Sequence, residues 1–141
     1  MRITLERALY ERMLAHARAV SPREACGLIA GVCEGEGSGE CRHITEVYLL
    51  TNADDSEEHF TLKPEEQLKA VRDMRARSLT PLGNWHSHPA SPARPSQEDI
   101  RLAYDRGATY CILSLADPAS PVLKAFSIAD GKAHEEELLL V

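Results

Sequence analysis

The stretch "GNWHSHPASPARPSQED", residues 83–99, is the part of the chain from which the fold and the chemistry can be inferred. It holds His86 and His88 with one residue between them, then a proline-containing loop, then a Ser-x-x-Asp that ends at Asp99. Side chains two residues apart share a face of a β-strand, whereas on a helix they point in different directions. Because "PLGNW" leads into the pair, we expect both imidazoles on one side of a strand end.

Asp99 is the third candidate ligand of a metal site. Ser96 is predicted to cap a helix, which places Asp99 in the first turn, and a strand–loop–helix connection can bring that turn back beside the strand end. Two imidazoles and one carboxylate leave one tetrahedral position open, which is typical of a catalytic rather than a structural zinc site. The alternative is a capped helix after a proline loop and two ordinary histidines. The spacing alone leaves both open.

Glu24 is the candidate partner of this site from a distant part of the chain. It precedes "ACGLIAG", a short apolar run that predicts a buried strand. A carboxylate at the lip of a central strand can face a metal-bound water on the neighbouring strand. The alternative is structural, because Ser21 and Glu24 have the spacing of a helix capping box.

Composition and charge exclude several classes of function. The chain has 141 residues, enough for a single domain over 1–141 with a real core, and its 43% apolar and 27% charged residues are ordinary for a globular protein. The net charge of −6 and the absence of a Lys/Arg cluster argue against nucleic acid and anionic membrane as partners. There is no run of about 18 apolar residues and no signal-type apolar region at the charged N-terminus. We therefore expect a cytoplasmic protein.

The four cysteines do not suggest a metal or redox motif, because none forms a Cys-x-x-Cys pair. Cys26 and Cys111 lie in apolar runs and are predicted to be core residues. Cys33 and Cys41 flank "EGEGSGE" and could face each other across a hairpin. In a cytosolic chain we expect them to be free thiols.

The order of helix and strand patterns predicts an α/β protein with a mixed sheet: helix, two strands, helix, strand, helix and three closing strands. Thr4 is predicted to cap the first helix and Pro64 to open the second. The third is predicted to start near Ser96 and to stop at Gly107. The polar residues 52–60, "NADDSEEHF", are expected to form an exposed connection.

Together, these residues resemble a known family. Glu24, His86-Ser87-His88-Pro89 and Ser96-Gln97-Glu98-Asp99 fit the JAMM signature of MPN+ zinc metallopeptidases, E-x(n)-H-[ST]-H-P-x6-S-x2-D, at every position. "EACGLIAG", "HF" with "KPEEQLKA", and "YCILSL" are similar to other segments of the family, so the resemblance covers nearly the whole chain. It implies an MPN-type (cytidine-deaminase-like) fold, a mixed β-sheet flanked by about three helices.

The resemblance also implies a role for each residue. His86, His88 and Asp99 would hold one Zn²⁺ per chain, with water in the fourth position. Glu24 would take a proton from that water and pass it to the leaving amine. The Ser96 hydroxyl would donate to the oxyanion of the tetrahedral intermediate.

Family enzymes hydrolyse the amide after the Gly-Gly tail of ubiquitin or ubiquitin-like proteins, and compact members resemble enzymes that process ubiquitin-like sulfur carriers. We therefore expect a Gly-Gly-tailed carrier as substrate, with Arg94 a candidate contact for a substrate carboxylate. Two alternatives remain: removal of small modifiers from lysines, and a catalytically silent MPN binding scaffold. A nucleobase deaminase would require His-x-Glu and Pro-Cys-x-x-Cys, and the sequence contains neither.

Overall fold

The computed structural model describes residues 1–141, which form seven strands and three α-helices. The elements are β1 Arg2–Leu5, α1 Arg7–Val20, β2 Cys26–Glu34, β3 Cys41–Leu50, α2 Pro64–Ala76, β4 Thr80–His88, α3 Gln97–Arg101, β5 Thr109–Ser114, β6 Val122–Ala129 and β7 Lys132–Leu140. None of the three helices combines the length and the apolar character that crossing a bilayer requires.

The seven strands close into a barrel in the order β1-β3-β2-β4-β5-β6-β7. Strand β1 runs parallel to both of its neighbours and β4 runs parallel to β5, whereas the remaining pairs are antiparallel. The predicted mixed sheet with three helices is therefore confirmed. The closure of the sheet was not predicted.

The start of the chain differs from the prediction. Thr4 does not cap a helix, because it lies in β1, and α1 begins at Arg7 with Glu6 as its N-terminal cap. Ile3 and Leu5 are fully buried with Thr4 between them, which is the alternation of a strand. Strand β1 has only four residues, which is too few for its alternation to be distinguished from the helical pattern that follows. Pairing with β3 and β7 makes this short strand the one that closes the barrel.

The main core lies between α1 and the barrel. Helix α1 buries Leu9, Met13 and Ala17, and these belong to one cluster with the fully buried Trp85 of β4. The indole Nε1 of Trp85 donates to the Tyr48 carbonyl oxygen at 3.2 Å, so its only polar group is satisfied. Because side chains alternate along β4, Trp85 faces this core and its neighbour His86 faces the other side.

Helix α3 is shorter than predicted. It ends at Arg101, and Tyr104, which lies beyond it, is 82% exposed. The predicted continuation to Gly107 is wrong because a turn intervenes: the Gly107 backbone N–H donates to the Asp105 carboxylate at 2.8 Å. An aspartate that bonds the backbone two residues ahead favours a turn over a helix.

The cysteines agree in part with the prediction. Cys26 and Cys111 are buried, as predicted, and all four thiols are free. The prediction that Cys33 and Cys41 are free thiols agrees with the structure, and the alternative that they face each other is wrong, because the register pairs Cys33 with Arg42 and Cys41 with Glu34. That one-residue offset places the two thiols on opposite faces of the hairpin. The cytoplasmic location stays a prediction.

Candidate metal centre and active site

Three side chains converge where β4 ends and α3 begins. The Nε2 atoms of His86 and His88 lie 3.1 Å apart. Oδ2 of Asp99 lies 3.2 Å from Nε2 of His86 and 3.1 Å from Nε2 of His88. The structure thus brings both histidines to one side of the strand and places the carboxylate beside them, and all potential ligand atoms lie within 4.8 Å of one another.

A hydrogen bond to the backbone holds the His88 side chain in place. Nδ1 of His88 lies 2.9 Å from the Pro92 carbonyl oxygen, which can only accept, so Nδ1 carries a proton and donates it. This bond orients the ring so that Nε2 faces Asp99. Fixing the tautomer through the second ring nitrogen is how proteins orient metal-ligating histidines.

The charges in the cluster are strongly coupled. Burial lowers the pKa of His86, which is almost completely enclosed. Burial is the largest influence on His88 and lowers its pKa, but the hydrogen bonds to Asp99 and the Pro92 carbonyl oxygen and the negative charges of Asp99 and Glu24 together raise the pKa of His88. Burial would raise the pKa of Asp99, and the two histidines instead hold it well below its usual range. Two imidazole nitrogens and a carboxylate oxygen at these distances are a donor set that suits a divalent cation such as zinc.

Ser96 and Asp99 form the predicted capping box. The Ser96 hydroxyl accepts from the Asp99 backbone N–H at 3.0 Å, and the Ser96 backbone N–H donates to Oδ2 of Asp99 at 2.9 Å. The structural interpretation of this pair and the metal-site interpretation are therefore compatible. The cap fixes the Asp99 carboxylate, and the exposed Ser96 keeps its hydroxyl proton free to donate.

Glu24 lies two residues before β2, which pairs with the strand that carries the histidines. The following residue, Ala25, donates its backbone N–H to the Ser87 hydroxyl at 2.7 Å and accepts from the Ser87 backbone N–H at 3.0 Å. The proposed capping box of Ser21 and Glu24 is wrong, because α1 has already ended and no helix begins there. Glu24 instead lies shortly before the strand that pairs with β4.

The Glu24 side chain is only 3% exposed, and its Oε1 atom has no hydrogen-bond partner in the protein. Burial raises its pKa to about 8, while the charge of His88 acts in the opposite direction and that of Asp99 raises it further. A buried carboxyl group without a protein partner, close enough to feel both ligands, is placed to exchange a proton with a small molecule such as water.

The sequence analysis missed Phe60. Its ring stacks on the His86 imidazole with centroids 4.9 Å apart and an angle of 30° between the planes. Residues 52–60 are mostly exposed, as predicted, but they also reach over the site. A lone aromatic residue at the end of the polar run "SEEHF" was the available signal.

A cavity of about 200 Å³ lies beside His86 and Asp99. Its remaining lining is partly apolar and partly polar: Phe60, Leu102, Tyr110, His59, Asn84 and Glu98. Arg94, the candidate contact for a substrate carboxylate, is exposed on the loop after β4 and does not line this cavity.

The chain is similar to a known family, to curated proteins and to solved structures. The family model described as prokaryotic homologs of the JAB domain matches residues 6–129. A protein named CysO-cysteine peptidase from Mycobacterium tuberculosis is 40% identical over 133 residues, covering 94% of this chain and 87% of the relative. A probable TtuB-protein conjugate cleaving protease from Thermus thermophilus is 34% identical over 98 residues, covering 69% of this chain and 60% of the relative. A solution structure of a Desulfitobacterium hafniense protein is 51% identical, has a TM-score of 0.86, and is matched over 99% of this chain and 92% of its own.

Proposed function

The chain belongs to the family of prokaryotic homologs of the JAB domain, and we propose that it is a peptidase of that family. Its proposed reaction is hydrolysis of the amide bond after the Gly-Gly C-terminus of a ubiquitin-like sulfur-carrier protein. The observation that carries the proposal is the convergence of His86, His88 and Asp99 beside a buried Glu24. This is the residue set of the family's signature, assembled from three separate parts of the chain.

One zinc ion per chain would be held by His86, His88 and Asp99. The fit is supported by the convergent lone pairs of these three side chains and by the unpartnered Oε1 of the neighbouring Glu24. Bound there, zinc would supply Lewis acidity, which polarises a carbonyl and lowers the pKa of water toward about 7. The choice of zinc follows from the ligand set of two histidines and one carboxylate.

Glu24 would act as general base and then as general acid. Its burial raises its pKa to about 8, and a bound cation would counteract that shift. The carboxylate can then take a proton from the attacking water and return it to the leaving amine. Proton transfer of this kind contributes about 10²–10⁴ in rate.

Ser96 would stabilise the developing negative charge on the scissile carbonyl oxygen. Its hydroxyl accepts from the Asp99 backbone N–H and so still has a proton to donate. A donor aimed at an oxyanion is worth about 10²–10³ in rate.

The enclosure of the site favours a slender substrate. His86 and His88 are 3% and 4% exposed, so only a thin chain end can reach the ligands. A Gly-Gly tail has no side chains and meets that requirement. The name of the M. tuberculosis relative, CysO-cysteine peptidase, supports a carrier with a C-terminal amino-acid extension as substrate.

A second candidate is removal of a ubiquitin-like modifier from protein lysines. The name of the T. thermophilus relative, a conjugate cleaving protease, favours it. The same catalytic residues serve both reactions, since each hydrolyses an amide after a Gly-Gly end. A silent binding scaffold is disfavoured because Glu24, His86, His88, Ser96 and Asp99 are all present.

The deciding experiment is incubation of zinc-loaded protein with Gly-Gly-tailed carriers, followed by mass spectrometry. One carrier bears a C-terminal cysteine and the other is joined to a lysine side chain. Loss of the extension at the Gly-Gly end, stopped by a chelator and restored by zinc, is the expected result. A zinc-loaded protein that binds the carriers but cleaves neither would instead be a scaffold.

A further inference from the structure

Asn52 makes an unusual number of hydrogen bonds beside the site. Its side-chain Nδ2 donates to the Glu24 carbonyl oxygen at 3.2 Å and to the His59 carbonyl oxygen at 3.0 Å. Its Oδ1 accepts from the backbone N–H of Asp54 at 3.0 Å and of Thr61 at 3.2 Å. An amide side chain has two donor hydrogens and two acceptor lone pairs, so Asn52 uses its full capacity.

These four bonds connect the two stretches of chain that matter for the chemistry. One is the short stretch before β2, which carries Glu24. The other is the segment that ends in Phe60, whose ring stacks on His86. In the same segment, the Ser56 carbonyl oxygen accepts a hydrogen bond from the Glu24 backbone N–H at 2.8 Å. Glu24 is thus bound on both sides of its backbone by residues 52–56, while its Oε1 has no protein partner.

We propose that Asn52 is a positioning residue that fixes the Glu24 backbone, and with it the carboxylate, relative to His86, His88 and Asp99. The inference rests on the proposed role of Glu24 as the proton carrier. Asparagine is required by the geometry, because two carbonyl oxygens need donors and two backbone N–H groups need acceptors at the same point. Aspartate has no hydrogen to donate, and alanine provides neither.

The discriminating variant is Asn52→Asp. It is isosteric and keeps the two bonds from Asp54 and Thr61, but it loses the donations to the carbonyl oxygens of Glu24 and His59. A misplacement of about 1 Å at a catalytic group costs up to about 100-fold in rate. We expect kcat to fall by about 10- to 100-fold, with KM and the zinc content per chain within about twofold of wild type. Asn52→Ala should show at least the same loss of kcat.

Thr51→Val is the matched control. Thr51 is the neighbouring residue, and its hydroxyl donates to Glu66 on α2 at 2.8 Å without contacting Glu24. Thr51→Val should lose about as much stability to thermal unfolding as Asn52→Asp does. Its kcat should stay within about twofold of the wild-type value. A folded Asn52→Asp protein with wild-type kcat would overturn the inference, and so would a decrease that appears only in KM or only through lost zinc. These results leave the proposed function standing, because wild-type cleavage and the Glu24→Gln variant test that function separately.

Discussion

Nε2 of His88 lies 3.1 Å from Oδ2 of Asp99, although the two residues are eleven positions apart and belong to a strand and a helix. The proline-containing loop between them returns the chain so that the capping carboxylate of α3 meets the strand end. The same loop offers the Pro92 carbonyl oxygen that orients His88. Local sequence therefore builds most of the ligand set.

Replacing one ligand should remove the metal. We expect His88→Ala to lower the zinc content from close to one ion per chain to near zero, because two ligands do not hold zinc firmly. His134→Ala is the matched control, since that histidine is 81% exposed and remote from the ligands. Elemental analysis of the purified proteins measures both. Equal zinc in the two variants would remove His88 from the ligand set.

Glu24→Gln should separate metal binding from catalysis. Glutamine keeps the size of the side chain but cannot take a proton, so zinc should remain while hydrolysis falls by about 10²–10⁴. Glu57→Gln, at an exposed position away from the ligands, should leave the rate unchanged. Cleavage of a carrier–cysteine fusion by Glu24→Gln at the wild-type rate would disprove the assigned mechanism.

Ser96→Ala should produce two independent losses. Removing the helix cap costs about 1 kcal/mol of stability, and removing the oxyanion donor costs about 10²–10³ in kcat. Zinc should stay bound, because Asp99 is held by the backbone N–H of residue 96, which alanine keeps. Ser96→Thr retains the hydroxyl and should recover much of both properties. If Ser96→Ala lost stability alone, the residue would be only a cap.

The stability of the metal-free protein should depend on pH through Glu24. Burial raises its pKa from 4.5 to about 8, so between these values the folded state holds a proton that the unfolded state has lost. The free energy of unfolding should therefore fall as pH rises through this range, by at most about 1.4 kcal/mol per pH unit from this group. Urea unfolding of chelator-treated wild type and Glu24→Gln measures the difference. Parallel pH profiles for the two proteins would show that Glu24 does not titrate in this way.

Ser87 should matter for stability although it points away from the ligands. Its hydroxyl is the acceptor for the buried Ala25 backbone N–H at 2.7 Å. Ser87→Ala leaves that donor unpaired, which costs about 1–3 kcal/mol. Ser120→Ala, at an exposed turn position, is the control and should change stability by less than about 0.5 kcal/mol. Denaturant titration of both variants gives the comparison.

Thr4, the end of the third helix and Phe60 are the places where the structure differs from the sequence-based predictions or adds to them. The prediction that Thr4 caps the first helix is wrong because a strand of four residues is shorter than the window in which periodicity can be recognised. The third helix ends before Gly107 because Asp105 forms a turn through one side-chain hydrogen bond, which the apolar pattern of the sequence does not reveal. The stacking of Phe60 on His86 joins residues far apart in the chain, so no local sequence pattern indicates it.

The amino-acid sequence by itself determined the candidate ligands, their common strand face and the capping box, because these depend on strand alternation and helix capping within residues 83–99. It also determined the mixed α/β character, through the order of apolar patterns. Only the tertiary structure decided that the chain next to Glu24 lies beside the strand that carries the histidines, since the bond between Ala25 and Ser87 spans 62 positions. The closure of the barrel by β1 was decided in the same way. Strand order and register depend on packing of the whole chain, and no local propensity specifies them.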